Sequence, residues 1–202
     1  MDQPLTLYTH PMSRGRIARW MLEEVGQPYE VIILDLGAPP PDYRRINPMG
    51  KVPALVHGTR TVTECAAICT YLADAFPGAG LIPQGDRASF YRWMFFGAGP
   101  LEAAVTNRAL NVDIPPDRRR MVGYGTFDLM AETLESAVAT GPFICGDQFT
   151  AADVYLGAQI GFGLQFGSLP AREGFVAYWD RIKNRPARLR AAAMDDALIR
   201  KG

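Results

Sequence analysis

The chain has 202 residues, 48% of them apolar, and its 21 basic and 21 acidic residues leave a formal net charge of +0. That is enough apolar material for one large core or two small ones, which excludes a disordered chain. Balanced charge supplies no global field to draw DNA, RNA or an anionic membrane to the surface.

Cys65, Cys69 and Cys145 make an odd number of cysteines. With no secretory leader at the amino terminus, they are expected to be reduced thiols in the cytoplasm. No apolar run approaches the roughly 18 residues of a membrane span, so no membrane is expected. Cys65 and Cys69 stand four apart, but no histidine or further cysteine lies nearby to complete a zinc site, and no metal is expected. Arg118–Arg120, the one basic run, reads as a solvated helix face and not as a nucleic-acid patch.

Leu5-Thr6-Leu7-Tyr8 alternates as a short strand that stops at Thr9-His10-Pro11, where proline cannot donate to a ladder. Ile17, Trp20, Met21 and Val25 recur at helical spacing before Gly26, predicting a helix near 14–25. Val31-Ile32-Ile33-Leu34 is too short for a helix and predicts a buried strand. Gly37-Ala38-Pro39-Pro40-Pro41 is stiff and extended. Val52–His57 and Arg60–Thr63 form a hairpin about Gly58-Thr59, and Ile68, Tyr71, Leu72 and Ala75 stripe a second helix that ends before Pro77.

Residues 76–86 hold two prolines and three glycines with little periodicity, the mark of a linker. Beyond it the spacing is helical almost throughout. Gly97-Ala98-Gly99-Pro100 should bend the first of these helices, and Pro186 should open the last. The fold expected is therefore an α/β domain of βαβ-ββα order over 1–78, followed by an all-α domain over 86–202.

Asn47-Pro48-Met49-Gly50-Lys51-Val52-Pro53-Ala54-Leu55, followed by Thr63-Glu64-Cys65-Ala66-Ala67-Ile68, resembles the cytosolic glutathione transferases, in particular the bacterial and fungal members with a serine in the first turn. Phe149-Thr150-Ala151-Ala152-Asp153-Val154 is similar to the helix-opening motif of that family's second domain. Through this resemblance the α/β domain is expected to be thioredoxin-like. The pattern also makes physical sense. A cis bond at Val52-Pro53 would leave the main-chain groups of Val52 facing outward, where an extended peptide can dock as an added strand. Glu64 and Cys65 open a helix whose amides and positive dipole end attract a carboxylate.

The resemblance implies that glutathione is the co-substrate. Its cysteinyl backbone would lie on Val52 beside Pro53, and its γ-glutamyl group on Glu64 and the amide of Cys65. Lys51, or Arg44 upstream, can reach one of its carboxylates. The family usually has serine or threonine where Cys65 stands, so one hydroxyl donor is replaced by a weaker thiol. Thr150 and Asp153 have the spacing of a capping box and are assigned to folding, not to substrate.

Conjugation needs the glutathione sulfur as a thiolate. Two hydroxyls are candidates to hold it, Ser13 beside the first helix and Tyr8 ending the first strand, and Ser13 is favoured. A hydrophobic electrophile is expected between the halves, against Tyr91, Phe95, Phe96 and Pro100. The function implied is a detoxifying glutathione transferase acting as a homodimer. Glutathione-dependent peroxidase, dehalogenase or isomerase chemistry, or a non-catalytic binding protein, are alternatives on the same fold.

Overall fold

The computed structural model describes residues 3–200. Their contacts divide into two units, one formed by residues up to Leu81 together with those from Asn184 onward, the other by Ile82–Lys183.

The first unit runs β1 (Leu5–Thr9), α1 (Gly15–Val25), β2 (Glu30–Ile33), a 3-10 turn (Pro41–Arg45), β3 (Ala54–His57), β4 (Arg60–Thr63) and α2 (Cys65–Ala75). Its four strands lie in the order β2-β1-β3-β4, with β2 parallel to β1 and β3 antiparallel to both neighbours. This is the thioredoxin-like arrangement. Along β1 the side chains alternate as the pleat requires. Leu5, Leu7 and Thr9 are buried, while Thr6 and Tyr8 are half-buried on the other face. α1 ends where Gly26, at φ 73°, turns its amide back to the Leu22 carbonyl at 3.0 Å.

One strand differs from expectation. β2 is not buried, because it is the edge of the sheet with only β1 beside it, and Ile32 and Ile33 are exposed. A run of β-branched residues reports strand propensity, not position in the sheet.

The last helix, α8 (Pro186–Ile199), packs on α1 and so joins the first unit, although its helical pattern placed it with residues 86–202. Four charge pairs line that contact. Arg16, Arg19, Glu23 and Glu24 on α1 meet Asp196, Asp195, Arg190 and Arg185 at 2.7, 2.9, 2.8 and 2.7 Å respectively. Arg185 is bidentate on Glu24, with a second contact of 2.8 Å. Arg19 and Asp195 are buried, and although close they are not aligned for a hydrogen bond. Burial raises the Asp195 pKa, with the Arg19 charge pulling it back.

In the second unit, α3 (Ala88–Phe96) passes through a π-helical turn (Gly97–Leu101) into α4 (Glu102–Ala109). A 3-10 turn (Pro116–Met121), α5 (Phe127–Ala139), α6 (Ala151–Phe166) and α7 (Glu173–Ile182) follow. The bend expected at Gly97–Pro100 takes the form of that π turn, which accommodates a proline that cannot donate. A Cβ at Gly97 would stand 2.8 Å from Tyr155 Cε1, so glycine lets α3 approach α6. The three arginines lie exposed on the 3-10 turn. Among the described residues no helix is long and apolar enough to cross a bilayer.

α6 starts at a capping box. The Thr150 amide donates to Asp153 Oδ2 at 2.8 Å, and Thr150 Oγ1 accepts from Ala152 N at 3.3 Å. Nearby, burial pushes the Cys145 thiol up to about 11 from 9.0. Iodoacetamide should therefore alkylate Cys145 in the native protein at least about tenfold more slowly than an unfolded thiol at pH 8, since the thiolate is the nucleophile. Peptide mass spectrometry of timed samples measures this, and equal rates would contradict it.

Candidate functional site

The register of the sheet carries three segments to one end. Tyr8 lies opposite Ala54, and Ala54 opposite Thr63. The chain beyond Tyr8 therefore leaves beside Val52 and Pro53, and both leave beside Glu64 and Cys65. The Cys65 thiol donates weakly to the Arg14 carbonyl at 3.6 Å, tying the start of α2 to the turn before α1.

In that turn, Ser13 Oγ donates to the His10 carbonyl at 2.7 Å and accepts from the Gly15 amide at 3.0 Å. His10 Nδ1 accepts from the Met12 amide at 3.0 Å. A Cβ at Gly15 would lie 1.8 Å from Thr9 Oγ1, so only glycine lets the turn close onto the end of β1. Tyr8 packs with Leu34, Tyr43, Ala54 and Val52, its ring 5.5 Å from that of Tyr43.

The loop before β3 is held from inside. The Lys51 carbonyl accepts from Tyr43 OH at 2.6 Å and from Asn47 Nδ2 at 2.7 Å, while Asn47 Oδ1 accepts from the Met49 amide at 3.0 Å. Burial raises the Tyr43 pKa, with the Asn47 hydrogen bond opposing it, and the phenol stays a donor. The Val52-Pro53 bond is cis. Neither the amide nor the carbonyl of Val52 enters a ladder or turn hydrogen bond among the described residues. The side chains of Lys51 and Arg44 are exposed.

Glu64 has φ 66° and ψ 121°, a conformation that L residues rarely adopt. It costs on the order of 1–3 kcal/mol and persists only where the surroundings impose it. No side-chain hydrogen bond caps the start of α2, and a helix start is where an anion is favoured. One end of the sheet thus brings together the Val52 main chain, which is outside the backbone ladder, the start of α2 at Glu64 and Cys65, and two hydroxyl residues, Ser13 and Tyr8. Tyr43 and Asn47 received no role from the sequence, although two polar residues just ahead of the Pro48-Met49-Gly50 turn are a signal that something inside needs donors.

Within the second unit, a cleft of about 600 Å³ is lined by Phe96, Pro100, Tyr124, Leu129 and Met130, with Arg119 and Arg120 on its wall. Tyr91 and Phe95 do not line it and are 43% and 74% exposed.

Residues 7–80 match the family model described as glutathione S-transferase, N-terminal domain. The chain is 30% identical to glutathione S-transferase 3 of Schizosaccharomyces pombe, over 71% of this chain and 69% of that one. It is 29% identical to glutathione S-transferase 3 of Zea mays, over 91% of each. Among solved structures it is similar to a sphingomonad glutathione S-transferase complexed with glutathione, with a TM-score of 0.77 and 26% identity over 95% of this chain and 98% of that one.

Proposed function

We propose that this chain, which belongs to the glutathione S-transferase family, binds glutathione at the end of its sheet and joins the glutathione sulfur to a hydrophobic electrophile. The observation that carries this is the convergence of Val52-Pro53, Glu64-Cys65 and the Ser13 turn, set by the strand register. The γ-glutamyl carboxylate takes the amides at the start of α2, and Glu64 takes the ammonium group. The cysteinyl main chain extends the edge at Val52, and the exposed ammonium of Lys51 meets a carboxylate.

A free thiol has a pKa of roughly 8.5, so few molecules at neutral pH carry the nucleophile unless the site favours the anion. Ser13 does so as a donor beside the positive end of α1. Binding both reactants then supplies orientation. The product is a thioether, with the leaving group or the electrophile's own acceptor atom taking the electron pair. Incubation with glutathione and 1-chloro-2,4-dinitrobenzene tests this, and a glutathione-dependent thioether product is expected.

A second reading, a non-catalytic glutathione-binding protein, is favoured by one observation. The Ser13 hydroxyl is already engaged with the His10 carbonyl. Tight glutathione binding without turnover of aryl halides, peroxides or epoxides would select it. As in the resemblance, the assembly is a homodimer. Exposed Tyr91 and Phe95, one turn apart on α3, are an apolar stripe for a second copy to cover.

The thiol at position 65 gives a direct prediction. Cys65→Ser restores a hydroxyl donor at the anion seat and should tighten glutathione binding about 2- to 10-fold, the worth of one neutral hydrogen bond. Calorimetry measures it, and unchanged or weaker binding would remove this residue from the γ-glutamyl seat.

A further inference from the structure

We infer that Tyr43 and Asn47 are positioning residues that aim the Val52 amide outward, by holding the carbonyl on the opposite side of the same peptide plane. The inference rests on the proposed glutathione site and assigns two residues to it.

The Lys51–Val52 peptide is trans, Val52-Pro53 being the one cis bond among the described residues. In a planar trans unit the C=O and N–H point in opposite directions. The Lys51 oxygen receives Tyr43 OH at 2.6 Å and Asn47 Nδ2 at 2.7 Å, which occupies both of its lone pairs. Both donors belong to buried residues, 4% and 3% exposed. The carbonyl therefore points inward, and the Val52 N–H has to point the other way. That amide takes no part in the backbone pairing of the described residues.

One donor would still permit the plane to swing. Two donors from different residues oppose it, and they are themselves linked, since the Asn47 amide donates to the Tyr43 carbonyl at 2.9 Å. Asn47 Oδ1 is fixed in turn by the Met49 amide, so the side-chain amide is oriented with its nitrogen toward Lys51. Burying a phenol and a carboxamide is unfavourable unless their donors are used. Phenylalanine would fill the Tyr43 site equally well, so the hydroxyl's contribution is to direction. The result is an amide set in advance to meet an acceptor carbonyl of an extended peptide, which in glutathione is that of the cysteinyl residue. Such presetting strengthens binding by removing an ordering cost.

Two variants remove one donor each and keep the shape. Tyr43→Phe deletes the hydroxyl. Asn47→Asp deletes the donor to Lys51 while keeping an oxygen for the Met49 amide. Each should weaken glutathione binding about 3- to 10-fold by calorimetry, and the pair together more than either alone. In amide spectra of the wild type, the Val52 resonance should move downfield on saturation with glutathione. In each variant that movement should shrink, while the responses of Glu64 and Cys65 persist. A general loss of packing would diminish all three alike.

In the ligand-free variants, the Lys51 carbonyl carbon should shift upfield as it loses a donor, while the remaining amide resonances keep their wild-type positions and so certify the folded state. Folded variants that bind glutathione as the wild type does, or that keep the full Val52 response, overturn the inference alone. A wild-type protein that takes up no glutathione overturns the proposed site and this inference with it.

Discussion

Asp153→Ala should lower the stability of the protein by about 3–5 kcal/mol, the cost of stripping a buried, multiply bonded carboxylate from its partners. Asp153 is wholly buried. Its Oδ1 accepts from the Ile144 amide at 2.8 Å and from Tyr178 OH at 2.7 Å, and its Oδ2 from the Thr150 amide at 2.8 Å and Thr150 Oγ1 at 3.0 Å. Alanine leaves two buried amides and two hydroxyls without an acceptor, and opens the start of α6.

For a chain of this length, such a loss lowers Tm by about 6–20 °C in a thermal melt. Asparagine keeps the shape but turns an NH2 group toward donors, so Asp153→Asn should fall between the wild type and alanine. A shift below about 2 °C for Asp153→Ala would contradict the capping role. The pH sign follows from the balance of causes. Burial raises the Asp153 pKa above 3.8, and the four donors lower it only in part. The folded state therefore holds the proton more tightly than the unfolded one. The contribution of this group is full below the ordinary carboxylate pKa and declines as pH rises through the folded value. Acid should therefore not unfold the protein through Asp153.

Ser13→Ala should reduce turnover with an aryl halide about 10²- to 10³-fold, the effect of removing one donor aimed at developing or stored negative charge. In the wild type the hydroxyl donates to the His10 carbonyl, so the proposed role requires it to turn toward the bound sulfur. Exchanging one neutral hydrogen bond for a charge-assisted one is favourable. Alanine also forfeits the bond from the Gly15 amide, worth about 1 kcal/mol as a helix-start contact. Rates are accordingly compared well below the melting temperature.

The decisive reading is the pKa of bound glutathione, followed by thiolate absorbance in the ultraviolet. In Ser13→Ala it should return toward the free-thiol value of roughly 8.5. Tyr8→Phe should cost less than about tenfold, since one donor suffices. The opposite pattern, full activity in Ser13→Ala and collapse in Tyr8→Phe, would transfer the role to Tyr8. That hydroxyl forms no hydrogen bond with the described residues, and the Tyr8 ring packs tilted against that of Tyr43.

The βαβ-ββα order was legible because each element carries a local signal: alternation in β1, helical spacing closed by Gly26 in α1, Gly58-Thr59 in the hairpin. What local signals do not carry is neighbourhood. The apolar run of β2 looks the same at an edge as at a centre, and its exposure depends on the strand order. The packing of α8 on α1, with its four charge pairs, joins segments more than 150 residues apart, and no local signal in either segment points to the other. In the site, the Val52-Pro53 and Glu64-Cys65 segments stood out by motif. Tyr43 and Asn47 did not, because their role is to grip a carbonyl, and which carbonyl becomes apparent only once the loop has closed on itself.

Calorimetric titration with glutathione, set against cysteinylglycine, tests the central claim most directly. If the loop at Val52 and the start of α2 form one tripeptide site, glutathione should saturate one site per chain, and the dipeptide, lacking the γ-glutamyl carboxylate and ammonium, should bind at least about tenfold more weakly. No heat with glutathione at millimolar concentration, or equal affinity for the two peptides, would contradict the account.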